Sequence, residues 1–313
     1  MSRTLWDPNP QLKDIALGTA TVFRWKDKSG RDWKGGLFKP VPFEPGRHYP
    51  LVIQTHGFSE TEFRPSGLFP TAFAARALAG AGLVVLQAEM CPILTTPEEA
   101  PCNVEGFEAA VSALVKEGLV DPDQVGIVGF SRTCFHVMEV LTNSSLHIKA
   151  ASITDGVMEG YLQYLNWVDF SGGGLAGEYD AMVGARPFGA GLRKWLQYSP
   201  LFNLDRVSAA LQVVAEGRAS LTLMWEPYAA MRYLHKPVDL VLLNNDEHVL
   251  SNPSARLVSQ GGSVDWFRFW LQDYEDPDPA KAEQYQRWRE LRKLQVARDV
   301  ERIKTSETLL TVH

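Results

Sequence analysis

The sequence predicts an α/β fold: a mostly parallel, eight-stranded sheet with helices on both faces and one long lid insertion. Three observations predict it. Short, near-continuously apolar runs such as YPLVIQTHG (49–57) alternate with longer runs of helical periodicity such as VEGFEAAVSALVKEG (104–118), the pattern of strands buried on both faces between crossover helices. Residues 20–40 instead alternate around the turn signal KDKSG, which predicts an antiparallel hairpin. Residues 156–200 lie between two strand-like runs and are too long for a plain crossover.

In order, the hairpin (20–40) leads to a buried strand (49–57) and a helix, TAFAARALAGAG (71–82), that stops at glycine. A strand, LVVLQAE (83–89), the helix 104–118 and a strand, VGIVGF (125–130), follow. Ser131 opens the helix SRTCFHVMEVLTN, and KAASIT (149–154) is the next strand. The insertion 156–200 carries SGGG and several aromatics, and is expected to cover the strand ends. AALQVVA (209–215) and PVDLVLL (237–243) complete the sheet, and VDWFRFWLQDY (264–274) is a closing helix. Residues 1–274 thus read as one domain, and 275–313 as a charged C-terminal helix and tail.

With 313 residues, 45% of them hydrophobic, the chain buries a large core. A net charge of −6 with scattered basic residues argues against nucleic acid. The most membrane-like window, TAFAARALAGAGLVVLQAEM, contains Arg76 and two glycines and reads as helix, turn and strand, so no membrane partner is expected. The start, MSRTLWDPNPQ, lacks an apolar stretch of the kind that leads export. The expected address is cytoplasmic, with a missing leader allowing a periplasmic one. Three cysteines (Cys91, Cys102, Cys134) are too few for a disulfide framework, so free thiols are expected, although export would let Cys91 and Cys102 pair. No cluster with metal-ligand spacing is present, and neither metal nor cofactor is expected.

The stretch VGIVGFSRT (125–133) places Ser131 where a strand becomes a helix. A serine there is either a helix cap or a nucleophile, and it acts as the latter only if a histidine and an orienting acid reach it. Of the seven histidines, His248 lies in the polar loop NNDEHVLSNP directly after the last strand, where the order serine, acid, histidine puts the base. Thr133 stands where the G-x-S-x-G turn has its second glycine, which predicts a wider approach of strand and helix. Cys134 and His136 read as ordinary residues of the helix. Upstream, IQTHGFSE predicts that the backbone N–H of Phe58, with that of Arg132, faces an oxyanion, while the His56 side chain is structural.

The acid has three candidates. Glu216 leaves the C-terminal end of its strand and is the first choice; Asp155, in ITDG at the end of the preceding strand, is the second. Glu226, before Pro227, reads as a first-turn helix charge, and Asp246 is too close to His248 in sequence to orient it easily.

The chain resembles the catalytic domain of the prolyl oligopeptidase family of serine peptidases from about NPQLKDIALGTATVFRW to VDWFRFWLQ. GFSRTCF, ITDG followed by YLQYL, WEPYAAMRYLHKPVDLVLLNNDEHVL and VDWFRFWLQDYEDPDPAKAEQYQRW resemble the branch that contains the lasso peptide isopeptidases. The resemblance implies an α/β-hydrolase fold, Ser131 as nucleophile, His248 as base and an acid about 32 residues before it, which falls on Glu216 where the family usually has aspartate. It also implies a peptide substrate, and a β-propeller that this chain does not contain, LWDPNPQ resembling the end of the connection to it. Tyr161, Tyr164, Trp167 and Phe170 would then wall an apolar acyl-side pocket under the lid. Three functions stay open: a serine hydrolase of peptide or isopeptide bonds, a carboxylesterase on the same site, and a non-catalytic interaction module that kept the fold.

Overall fold

The computed structural model describes residues 7, 9–16, 18–61, 69–170, 174–245 and 247–310, with the side chains of 12, 169, 170 and 297–310 left aside. One eight-stranded sheet organises it, in the order β1-β2-β4-β3-β5-β6-β7-β8. β1 (Ala20–Lys26) and β2 (Asp32–Phe38) form the predicted hairpin, and β2 pairs antiparallel with β4 (Val84–Ala88). β3 (Tyr49–Gln54), β4, β5 (Val120–Phe130), β6 (Ile148–Thr154), β7 (Ala210–Glu216) and β8 (Val238–Leu243) are parallel.

Side chains alternate across each strand, and both faces of the central strands β3 to β7 are buried. Leu51, Ile53, Val125, Ile127, Ile153 and Val213 pack on one face beneath α2 (Glu99–Lys116), α3 (Thr133–Asn143) and α7 (Arg218–Tyr233). Val52, Val85, Val128 and Ala150 pack on the other, under α1 (Ala75–Gly80) and α8 (Pro253–Gln272). Strands covered on both sides carry few polar residues, which is why they read as continuous apolar runs.

Some boundaries move. β5 begins at Val120 rather than 125, α8 at Pro253 rather than 264, and α1 is shorter than 71–82. α8 starts where Asn252 accepts the N–H groups of Ser254 and Ala255, with Pro253 at the first helical position. The insertion holds α4 (Tyr161–Phe170), α5 (Gly174–Val183) and α6 (Leu192–Tyr198). Tyr164, Tyr179 and Met182 pack around Trp195 to form its own small core. The charged helix α9 (Ala282–Leu310) docks through Tyr285 and Trp288 onto Trp266, Phe269 and Trp270, and Trp288 Nε1 donates to Asp239 at 2.6 Å.

Among the described residues no helix is long and apolar enough to cross a membrane. Cys91 and Cys102 form a disulfide, correcting the expectation of free thiols. The pair lies 11 residues apart, after β4 and in α2, and only the packing of that helix brings the two together. Cys134 is free and buried.

Candidate active site

The C-terminal ends of β5, β6 and β7 and the loop after β8 converge. Ser131 follows β5 with φ +54°, a left-handed conformation that β-carbon sterics disfavour and that surrounding bonds must hold. Its N–H donates to Thr154 O at 3.1 Å, and its carbonyl accepts from Cys134 N–H and Val157 N–H. Two glycines make room. A Cβ on Gly129 would lie 2.7 Å from Thr133 O, and one on Gly156 would lie 2.2 Å from Ser131 O.

Thr133 does not loosen the turn, contrary to the sequence expectation. It is fully buried, and its Oγ1 donates to Phe130 O (2.8 Å) and accepts from Phe130 N–H (3.1 Å). Thr55 Oγ1, at the end of β3, lies 2.7 Å from the same atom. The hydroxyl ties strand, turn and helix together.

Ser131 Oγ donates to His248 Nε2 at 2.9 Å, and His248 Nδ1 donates to Asp155 Oδ2 at 2.6 Å. Half of the imidazole is exposed, and its ring stacks on Phe130 with centroids 4.7 Å apart. The loop carrying it is anchored by Leu250 N–H on Thr71 Oγ1 and by the Glu247 carboxylate on Ser251.

The first-choice acid is therefore not the one against the ring. Asp155 and Glu216 end neighbouring parallel strands, paired with Thr154 beside Val214, so both carboxyls reach the same level. Asp155 turns toward His248 because it leaves the strand at φ +41°, while Glu216 stays in the ladder, 4% exposed, with both oxygens lacking a hydrogen-bond donor. Burial, then the Asp155 charge and a hydrogen bond to the Asp155 carboxylate, pushes the Glu216 carboxyl up to about 9, so it keeps its proton at neutral pH. Glu226 is no first-turn charge. It lies within α7 and accepts the N–H groups of Tyr161 and Leu162, capping α4 from outside. Asp246 falls outside the described residues.

Of the oxyanion candidates, Arg132 is the N-cap of α3, so its backbone N–H lies at the helix start directly after the nucleophile. Phe58 follows His56 and Gly57, both at positive φ, where the chain turns sharply off β3. The His56 ring lies 4.4 Å from that of Phe69, and burial lowers its pKa to about 4, which suits a structural side chain.

A network that was not read from the sequence surrounds the elbow. Arg132 places Nε and Nη2 on Glu99 (2.8 and 2.6 Å) and Nη1 on Glu178 of the insertion at 3.0 Å. Fully buried His136 donates to Glu99 at 2.8 Å. Burial would raise the Glu99 carboxyl, but the bonds from His136, Arg132 and Thr95 N–H outweigh it and bring it down to about 2. A histidine and a glutamate on the apolar faces of two helices were the only signal. Cys134 is an inert thiol, since burial pushes its pKa well up.

A cavity of about 490 Å³ opens beside Ser131, lined by Val157, Trp167, Leu175, Leu223, Glu216 and His248 among others. Trp167 is a wall of it. Tyr164 instead packs edge-on to Trp195, Tyr161 meets Phe188, and the Phe170 side chain falls outside the described residues. Among the described residues, Asp155, Glu216 and His248 are a group able to hold a metal ion, with ligand atoms all within 4.8 Å of one another.

The chain and its fold have known counterparts. No protein-family model matches the chain. It is 29% identical over 316 residues to the lasso peptide isopeptidase AtxE2 of Asticcacaulis excentricus, covering 93% of this chain and 43% of that protein. The apo structure of AtxE2 superposes with a TM-score of 0.77 at 26% identity, over 93% of this chain and 46% of that one. A serine-to-alanine variant of AtxE2 with Astexin3-dC4 bound gives 0.78 at 27% identity, with the same coverage. Pyrococcus horikoshii acylaminoacyl peptidase shares the fold, with a TM-score of 0.68 at 18% identity over 90% of this chain and 46% of its own. The chain spans less than half the length of these relatives.

Proposed function

Since the chain is a homologue of the lasso peptide isopeptidase AtxE2 and carries the α/β-hydrolase fold of prolyl oligopeptidase-type peptidases, we propose that it is a serine hydrolase cleaving peptide or isopeptide bonds through an acyl-enzyme. The observation that carries the reading is the file of Ser131 Oγ, His248 and Asp155, joined at 2.9 and 2.6 Å on a turn held open at positive φ.

In this reading Ser131 Oγ attacks the carbonyl while His248 Nε2 takes its proton. Asp155 holds Nδ1–H, fixing the tautomer that leaves Nε2 free to accept, and stabilises the imidazolium. The backbone N–H groups of Phe58 and Arg132 receive the oxyanion. His248 then protonates the leaving amine, and water repeats the sequence on the acyl-enzyme. Trp167, Val157 and Leu223 favour an apolar acyl-side group in the cavity. AtxE2 with Astexin3-dC4 bound supports a peptide as the substrate class.

The hydrogen-bonded Thr133 argues against a non-catalytic module, because the departure from the glycine motif strengthens the turn. A carboxylesterase would use the same residues, so substrate preference separates the two. The test compares kcat/KM on a short peptide ester, a peptide amide and a threaded isopeptide. Cleavage of both amide bonds supports the proposal, and turnover confined to the ester favours the esterase. The Cys91–Cys102 bridge supports an oxidising compartment rather than the cytosol.

A further inference from the structure

A histidine triad needs one carboxylate, and here a second carboxyl stands beside it whose neighbour is the Asp155 carboxylate itself. Asp155 and Glu216 are brought together by the register of β6 and β7, and His248 completes the group from the loop after β8. One ligand atom from each lies within 4.8 Å of the other two. Glu216 is 4% exposed and lines the catalytic cavity, and neither of its oxygens meets a donor among the described residues. Two carboxyls held this close share at most one proton between them, and a cation is the partner that lets both ionise.

We propose that Asp155, Glu216 and His248 form a binding site for a divalent transition-metal ion, zinc foremost, and that its occupation switches the catalytic centre off. One imidazole nitrogen and two carboxylates are a donor set that zinc accepts. Metal–ligand bonds of about 2.0–2.2 Å hold ligand atoms roughly 3.3 Å apart, so the His248–Asp155 pair, now 2.6 Å apart, must open to admit the ion. His248, half-exposed on a loop, is the member free to move. All three residues line the cavity beside Ser131, which would give a fourth ligand access to the ion. The metal replaces the Glu216 proton, which leaves to solvent, and the Nδ1 proton, which moves to Nε2; the Asp155–His248 bond is broken and the ring can no longer accept the Ser131 proton.

The binding site stands on this geometry alone; its inhibitory consequence rests on the hydrolase reading, and the two are tested separately. Binding is measured by titrating zinc chloride calorimetrically into the full chain carrying Ser131→Ala. One site is expected, weakened about tenfold or more by Glu216→Gln and by His248→Ala, as for lost ligand-sphere residues. It should be unchanged by His147→Ala, at the exposed histidine 3.6 Å from Asp123. Glu216→Asp, which keeps a carboxylate, retains more affinity than Glu216→Gln and decides the matter should the glutamine variant fail to fold. Zinc binding equally well to Glu216→Gln and Glu216→Asp, or undiminished in His248→Ala, overturns the site. Inhibition is measured on an ester substrate with Ser131 intact. Zinc should slow turnover and EDTA restore it, with the inhibition constant raised about tenfold or more in Glu216→Gln relative to that variant's own metal-free rate. Tight binding without inhibition overturns the switch and leaves the site. A chain with no metal-free turnover contradicts the hydrolase reading and the switch with it, while calorimetry still decides the site.

Discussion

Thr133 Oγ1 donates to the Phe130 carbonyl at 2.8 Å and accepts the Phe130 N–H at 3.1 Å, so the residue that replaces a glycine closes the turn beneath Ser131. Thr133→Val keeps the volume but leaves a buried N–H unpaired, at a cost of about 1–3 kcal/mol. Thermal denaturation should show Tm lower by several degrees, with a loss of kcat. Thr133→Ser, which keeps the hydroxyl, should stay near the parent in both. A valine variant as stable as the parent would show that the hydroxyl does not hold the turn.

Asp155 rather than Glu216 faces His248 Nδ1. Asp155→Asn should therefore lower kcat/KM on the order of 10⁴-fold, the cost of the wrong histidine tautomer. Glu216→Gln, at a carboxyl that already holds its proton, should cost at least about a hundredfold less. Steady-state kinetics on one ester substrate decides it, and the reverse ranking would move the orienting role to β7.

How much of this was legible follows from what each residue depends on. The strands were readable because burial on both faces leaves apolar runs. Ser131 and His248 were readable because chain order and the strand-to-helix switch locate them. The acid was not, because β6 and β7 both end in a carboxylate at one level and the φ of Asp155 decides which turns to the ring. Glu226 had the same limit: its partners are the N–H groups of a helix more than 60 residues away in sequence. The Arg132–Glu99–His136 network spans two helices and the elbow, and nothing local marks it.

Two buried carboxyls shift stability with pH in opposite directions. Glu216 has its pKa raised to about 9 in the fold, against about 4.3 unfolded. Its contribution is therefore full below the unfolded value and is lost as pH rises toward 9. Glu216→Gln should gain Tm relative to wild type on going from pH 5 to pH 8. Glu99, brought down to about 2, contributes stability above its unfolded value that is lost as pH falls toward 2. The penalty of Glu99→Gln should therefore shrink between about pH 5 and pH 3. Calorimetric melts across pH check both signs, and a pH-independent difference for either variant contradicts its assignment.

The Cys91–Cys102 bridge closes a short loop into the start of α2, where Glu99 holds Arg132 next to Ser131. Chain entropy assigns such a loop about 3 kcal/mol. Reduction, or Cys102→Ser, should lower Tm and reduce activity by loosening the Arg132 anchor. Thiol titration of the protein made in an oxidising compartment should find one free cysteine after unfolding, Cys134. Three would contradict the bridge.

The central claim, that Ser131 is a nucleophile activated by His248, is tested most directly by intact-mass spectrometry and peptide mapping after reaction with a fluorophosphonate. One adduct per chain, on Ser131, is expected, absent from Ser131→Ala and formed far more slowly in His248→Ala. A native, folded chain that takes no adduct, or takes it at another residue, would contradict the account.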